Sequence, residues 1–251
     1  MKYKTKHVIA CIMAILMLSF AFASVTAAAG SITLTPTTQT TGGSVTVAGT
    51  GFGATQAVGI GLGQEITVTN ETITTFSGTG NGPYTATLAH YPIKPGSFSM
   101  HWDTAGTGSD WTDNGDGTLS STSSYSAGGT VNYVTGVFGR TSTLDLSTYA
   151  LTATCSYTYY QYKVTPAANV TTSASGTFTA SITVPAALAS GSYSVTAVDA
   201  IGNKGVSTLT VSTAVPEGLT FGLVALLSSV AVVTSYFLKR PKTADSKYTK
   251  L

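Results

Sequence analysis

Residues 176–205 read GTFTASITVPAALASGSYSVTAVDAIGNKG. Phe178, Ala180, Ile182 and Val184 alternate with Thr177, Thr179, Ser181 and Thr183, the period-two pattern of a strand with one buried face. Pro185 stops that strand, Gly191 opens a second, and Gly202 ends it before a third. Three such strands suit the end of a β-sandwich but cannot enclose a core. The remaining strands must come from elsewhere in the chain.

They lie far upstream. Ile32 and Leu34 alternate and Pro36 stops them; Val45 and Val47 alternate and Gly49, Gly51 and Gly53 turn the chain; Val58, Ile60 and Leu62 form a third run. With Gly176-Thr177-Phe178-Thr179-Ala180 and Gly191-Ser192-Tyr193-Ser194-Val195, this series resembles the immunoglobulin-like repeats of bacterial and archaeal surface proteins. In those repeats the early and late strands are joined by a short link. The resemblance implies an Ig-like β-sandwich split into residues 30–65 and 163–213, close to the usual size of about 100 residues. Two tandem domains divided near residue 165 are the other arrangement, but 163–213 is short for a complete sandwich.

Residues 66–162 are then an insertion with strand signals of their own. Ile66/Val68, Tyr84/Ala86/Leu88, Phe98/Met100/Trp102, Val131/Tyr133 and Leu151/Ala153/Cys155/Tyr157 alternate. Gly80-Asn81-Gly82-Pro83, Lys94-Pro95-Gly96, Asp113-Asn114-Gly115-Asp116-Gly117 and Gly128-Gly129 punctuate them. The stretches LAHYPIKPGSFSM, DNGDGTLSS and GTVNYVTGVF resemble a β-sandwich module of phage virion and bacterial surface proteins. That resemblance implies a second sandwich with a structural or display role and supplies no catalytic residues. The expected fold is all-β: two Ig-like β-sandwiches stacked end to end, the second inserted into the first, plus a C-terminal transmembrane helix.

The chain's ends carry membrane signals. Lys2, Lys4 and Lys6 precede the apolar run Val8–Ala23, and Ala27-Ala28-Ala29 follows. Residues 1–29 therefore read as a signal peptide cleaved after Ala29, the other reading being an uncleaved anchor. Residues 218–238 hold no charge, and about 20 apolar residues span a bilayer. Lys239, Arg240 and Lys242 come next, which places the tail 239–251 in the cytoplasm and the body outside. Val215-Pro216-Glu217-Gly218 before that helix resembles the Pro-Glu sorting tails of archaeal surface proteins, which implies processing by a sortase-like enzyme rather than a retained helix. The expected localisation is the cell membrane, single-pass, with Gly218–Leu238 as the membrane contact.

Only 9% of residues are charged, against about 25% in ordinary soluble domains. Between residues 30 and 215 the bases are Lys94, Arg140, Lys163 and Lys204, opposed by eight acids. A weakly acidic body argues against a nucleic-acid partner, which requires a basic stripe. Cys11 lies in the signal segment, so Cys155 is the only thiol of a mature chain and no internal disulfide forms. Its alternation with Leu151, Ala153 and Tyr157 places it on an apolar face as an inert buried thiol.

The chemistry-bearing residues are few. His90 and His101 belong to no metal or hydrolase motif, no nucleophile triad is present, and no spacing pairs two carboxylates for glycoside hydrolysis. The expectation is a protein that is not an enzyme. Asp113, Asn114 and Asp116 form a candidate calcium cluster, although Asn-Gly and Asp-Gly are equally hairpin-turn residues. Asn70 and Asn169 open glycosylation sequons. In Cys155–Tyr162 the tyrosines alternate, so Tyr157 and Tyr159 share one face and Tyr160 and Tyr162 the other. The second pair is a candidate ligand contact if it faces solvent, and sheet packing if it does not.

The expected function is that of a non-catalytic, membrane-anchored cell-surface protein with a structural or adhesive role in the envelope. The alternative is a glycan- or protein-binding module displayed through the insertion. Calcium is the only cofactor the residues suggest. Partners are other envelope proteins or glycans, and self-assembly is left open.

Overall fold

The computed structural model describes residues 30–104, 107–164 and 170–212. The signal segment with Ala29, the sequon at Asn169, Val215–Gly218, the apolar segment 218–238 and the tail 239–251 lie outside the described residues. Among the described residues no helix is long and apolar enough to cross a membrane.

The protein is all-β. In chain order the strands are β1 (Ser31–Thr35), β2 (Thr38–Thr40), β3 (Ser44–Thr50), β4 (Ala57–Ile73), β5 (Tyr84–Thr87), β6 (Ser99–Thr104), β7 (Thr107–Asp113) and β8 (Thr118–Ser121). There follow β9 (Ser126–Val131), β10 (Val137–Ser142), β11 (Leu151–Lys163), β12 (Val170–Thr171), β13 (Phe178–Thr183), β14 (Gly191–Asp199) and β15 (Lys204–Ser212). A three-stranded sheet has the order β1-β3-β13. A 12-stranded sheet runs β2-β15-β14-β4-β11-β6-β7-β8-β9-β10-β5, with β12 also on β4.

The alternation at residues 178–184 does what its period requires. Phe178, Ala180, Ile182 and Val184 are buried, and β13 pairs antiparallel with β3 so that Val47 faces Ala180 in register. The next two strands, β14 and β15, join the other sheet. Ile32, Leu34, Val45, Val47, Val58, Ile60 and Leu62 meet the late strands in one hydrophobic cluster between the two sheets. A second cluster is built from residues 84–160 and is joined by Val198 of β14.

Two long strands pass through both clusters. β4 sends Val58, Ile60 and Leu62 into the first, while its Val68 and Ile73 pack on the second. β11 pairs antiparallel with it from Ala153↔Ile73 to Lys163↔Gly61. The boundaries 65/66 and 162/163 expected from the sequence thus fall inside strands. The ladder crosses them without a loop, because pairing with β11 satisfies the β4 backbone on both sides of the boundary.

The alternation V-G-I-G-L-G of residues 58–63 explains how the joint closes. Its apolar positions face the first cluster, and its glycines lie on the reverse face. A Cβ on Gly61 would sit 2.3 Å from the Tyr160 Cβ, so only glycine lets Tyr160 pack flat on the strand. Beside it, Tyr160 N donates to the Pro92 carbonyl at 3.2 Å, and Lys94 Nζ reaches Glu65 at 2.7 Å. The LAHYPIKPGS stretch is therefore a brace along β11.

Five strands gave no alternation signal. β2 departs from the path of β1 after Pro36 and pairs parallel with β15. β12 is only two residues long. β7 buries Ser109, Trp111 and Asp113, β8 is the short TLSS, and β10 buries Phe138, Arg140 and Ser142. Buried positions filled by serine, aspartate and arginine hide a period-two pattern. Tyr133, expected on a strand with Val131, lies just beyond the end of β9. The strands from β11 to β5 form one hydrogen-bonded run rather than two separate sheets. That run curls back on itself, so that Phe138 of β10 meets Phe98, ahead of β6, across the core at 5.2 Å between ring centroids.

Candidate functional site

The Asp113–Gly117 segment is the β7–β8 turn, and its polar atoms are directed at protein donors. Asp113 is buried. Its Oδ1 accepts from Gly115 N at 2.8 Å and from the Tyr133 hydroxyl at 2.6 Å, and its Oδ2 accepts from Gly96 N at 2.7 Å. Tyr133 Oη in turn accepts from Gly117 N at 2.9 Å. Burial, reinforced by the bond to Asp113, pushes the Tyr133 hydroxyl far up, so it stays a neutral donor. Asp116 Oδ1 accepts from Thr118 N and Oγ1, which holds its carboxyl below the usual range. Asn114 exchanges bonds with Thr118 and Ser120.

What these residues build is a hydrogen-bonded turn. Among the described residues no three His, Cys, Asp or Glu side chains gather as a metal site. A calcium ion would have to displace the donors on Asp113, and calorimetry with millimolar calcium is expected to show no binding heat. Asp113→Ala strands the Tyr133 hydroxyl and two amides, and is expected to lower stability by about 3 kcal/mol in denaturant unfolding.

The tyrosine pair does not form an exposed platform. Tyr160 is only 3% exposed and belongs to the second cluster, its side chain lying against Gly61 of β4; at both register shifts in the β4–β11 pair the extra residue is in β4. Tyr162 is half-buried and packs against the first. The Tyr160 ring borders a groove of about 490 Å³ with Gly63, Gln64, Tyr193 and Thr196.

Other candidates take structural positions. His90 stacks on Tyr159, with ring centroids 4.5 Å apart and planes 13° apart. His101 Nδ1 lies 2.7 Å from Asp110 Oδ1 on the exposed face of the β6–β7 pair. Asn70 is exposed on β4 in a left-handed conformation (φ 59°), where asparagine is tolerated, so a glycan there would meet solvent. Cys155 is fully buried, and burial, with a smaller contribution from the Glu71 charge, pushes its thiol up to about 12. The expected result is no alkylation of Cys155 at pH 8 in the native protein and complete alkylation in denaturant, read by mass spectrometry.

The residue that sequence reasoning passed over is Arg140. It is 4% exposed, although it is one of only four bases between residues 30 and 215. Its Cζ lies 5.1 Å from the Trp102 ring centroid and 5.3 Å from that of Trp111. Its Nε has no hydrogen-bond partner, nor has the Trp102 Nε1 beside it. Among the described residues no carboxylate forms an ion pair with it. Desolvation is what lowers its pKa. Asp103 and Asp110 alternate with Trp102 and Trp111 and so lie on the opposite face of β6 and β7.

Arg140 borders a cavity of about 480 Å³ together with Ser109, Ser123, Ser142, Tyr125 and Tyr149. That volume is in the range of small-molecule sites. Tyr125 and Tyr149 are 55% and 50% exposed, and Leu144 on the same rim is 48% exposed. An arginine between aromatic runs on a strand gives no warning in sequence. The usable signal was arithmetical: a base inside a strand of a chain that has few.

No protein-family model, no curated protein and no solved structure matches this chain.

Proposed function

We propose that the chain is a non-catalytic, exported cell-surface protein, tethered by its C-terminal apolar segment, that displays residues 66–162 on an immunoglobulin-type sandwich. The strand pairing supports the Ig part of this reading. β1-β3-β13 faces β2-β15-β14-β4, and the parallel β2–β15 contact lets the first strand segment serve both sheets. The insertion begins within β4 and ends within β11.

One observation carries the display reading: the β4–β11 ladder continues from one hydrophobic cluster into the other. A paired double strand is a stiff strut, whereas a single linker is a hinge. Stiffness suits a module held away from a surface. The low content of charged residues and the terminal segments support export. The test is the intact mass of native protein from membrane extracts, together with labelling of whole cells by a membrane-impermeant amine reagent. The expected result is a chain lacking residues 1–29, labelled at Lys94 or Lys204 but not in 239–251. An unprocessed chain in the soluble fraction overturns the reading. A mass that also lacks residues 239–251 points to sortase-like processing at Val215–Gly218 instead of a retained helix.

Between a structural role and a ligand-binding one, the cavity at Arg140 favours binding through the insertion. Light scattering of the full-length protein over a concentration series separates the two. Growth into large assemblies supports the structural role, and a concentration-independent monomer supports the binding one.

A further inference from the structure

Arg140 has an unusual balance of interactions. A buried guanidinium gives up strong hydration, and proteins normally return it through a carboxylate and several acceptors. Here two indole faces stand in for a carboxylate, each contributing about 2 kcal/mol when desolvated. An apolar side chain of the same reach would fill the space between the indoles without that penalty. The group is therefore underused by the fold, and it borders a cavity open to solvent.

The rim of the cavity narrows the choice of what enters. Tyr125, Leu144 and Tyr149 are three of the large hydrophobic side chains that remain exposed on the protein, and all three border this one cavity. Between them and Arg140 the lining is mostly serine and threonine, hydroxyls that can both donate and accept. Aromatic faces suit the C–H surface of a pyranose ring, hydroxyls suit its hydroxyl groups, and a guanidinium suits a planar carboxylate, which it can bind in a two-pronged fashion. An acidic peptide would use the arginine but would leave the two rim tyrosines and the hydroxyl lining without a matching partner.

We propose that the cavity bordered by Arg140, Tyr125 and Tyr149 is a binding site for an acidic sugar, with the sugar carboxylate on Arg140 and its ring against the rim tyrosines. This deepens the reading of residues 66–162 as a displayed binding module. It stands on the geometry at Arg140 and not on export, so its failure leaves the processing test untouched.

The chain's two tryptophans, Trp102 and Trp111, both contact Arg140, so intrinsic fluorescence reports on this site directly. Full-length protein is titrated with methyl glucuronoside, methyl glucoside, inorganic sulfate and a short acidic peptide. The expected result is a saturable fluorescence change with the glucuronoside, with Kd of the order of 1 mM, and none with the neutral glucoside. Arg140→Met should abolish the response while the unfolding midpoint stays equal or rises, because no ion-pair partner is left stranded and the methionine chain fills the space between the indoles. Tyr149→Ala, at an exposed position, keeps the fold and should weaken binding roughly three- to tenfold. No saturable change with the glucuronoside overturns the proposal, as does a response that survives Arg140→Met. Sulfate or the acidic peptide binding as well as the glucuronoside, with Tyr149→Ala unchanged, overturns the sugar assignment. If Arg140→Met does not fold, the glucoside comparison and Tyr149→Ala still decide.

Discussion

Replacing Asp199 by alanine is expected to destabilise the protein by about 3–5 kcal/mol, the loss typical of removing one partner from a buried charged network. Asp199 is fully buried at the end of β14. Its Oδ2 accepts from Gly53 N at 2.8 Å and from Asn203 Nδ2 at 2.8 Å, and its Oδ1 from Asn203 N at 2.9 Å and Ile201 N at 3.1 Å. One carboxylate thus ties the β3–β4 loop to the β14–β15 turn. Alanine leaves four donors without their acceptor. Asp199→Asn keeps one acceptor oxygen and turns the other into a donor facing donors, so its loss should be smaller than alanine's but still clear. Guanidinium unfolding of the three proteins, compared at constant m-value, reads the effect. A loss under about 1 kcal/mol for alanine would mean that the loop and turn hold together without the carboxylate.

Gly202→Val carries the second large effect, about 3 kcal/mol, and acts on the joint between the clusters. Gly202 has φ +93°, a left-handed conformation that a β-branched residue adopts only with strain. A Cβ there would stand 2.1 Å from the Gly115 carbonyl oxygen, and backbone cannot move aside as a side-chain tip can. Gly202 belongs to the β14–β15 turn and Gly115 to the β7–β8 turn, so the clash separates the insertion from the sandwich at a second contact, distinct from the β4–β11 ladder. Unfolding should therefore lose cooperativity as well as midpoint, with the tryptophans of the second cluster reporting apart from far-ultraviolet dichroism. A single coincident transition with an unchanged midpoint would show that the turn-to-turn contact is dispensable.

The two turns also show where sequence reasoning reaches its limit. DNGDG and DAIGN each announce a turn by composition, and both are turns. That Asp113 and Asp199 would be buried, each collecting amides from a distant loop, was not legible. Gly96 and Gly53 are far from them in sequence, and a carboxylate looks the same in sequence whether it faces solvent or a ring of donors. The calcium reading at Asp113 shared this weakness, since clustered oxygens satisfy a turn and a cation equally well on paper. The tyrosines show a different limit. Alternation put Tyr160 and Tyr162 on one face and left open whether that face met solvent or the sheet, and packing against Gly61 of the neighbouring strand decided it for Tyr160.

What the sequence determined by itself was the all-β character and which side chains face inward on the strands that alternate, because a period of two leaves each strand one apolar face and water selects it. The V-G-I-G-L-G run even carries both faces of the joint, apolar on one side and glycine on the other. Tertiary structure alone decided that β4 and β11 would run unbroken through both clusters, that β2 would cross to β15, and that β10 would bring Arg140 over two indoles from β6 and β7. Those outcomes depend on pairing register and on which strands face each other across a core. Both are contacts between residues distant in sequence, and no local pattern encodes them.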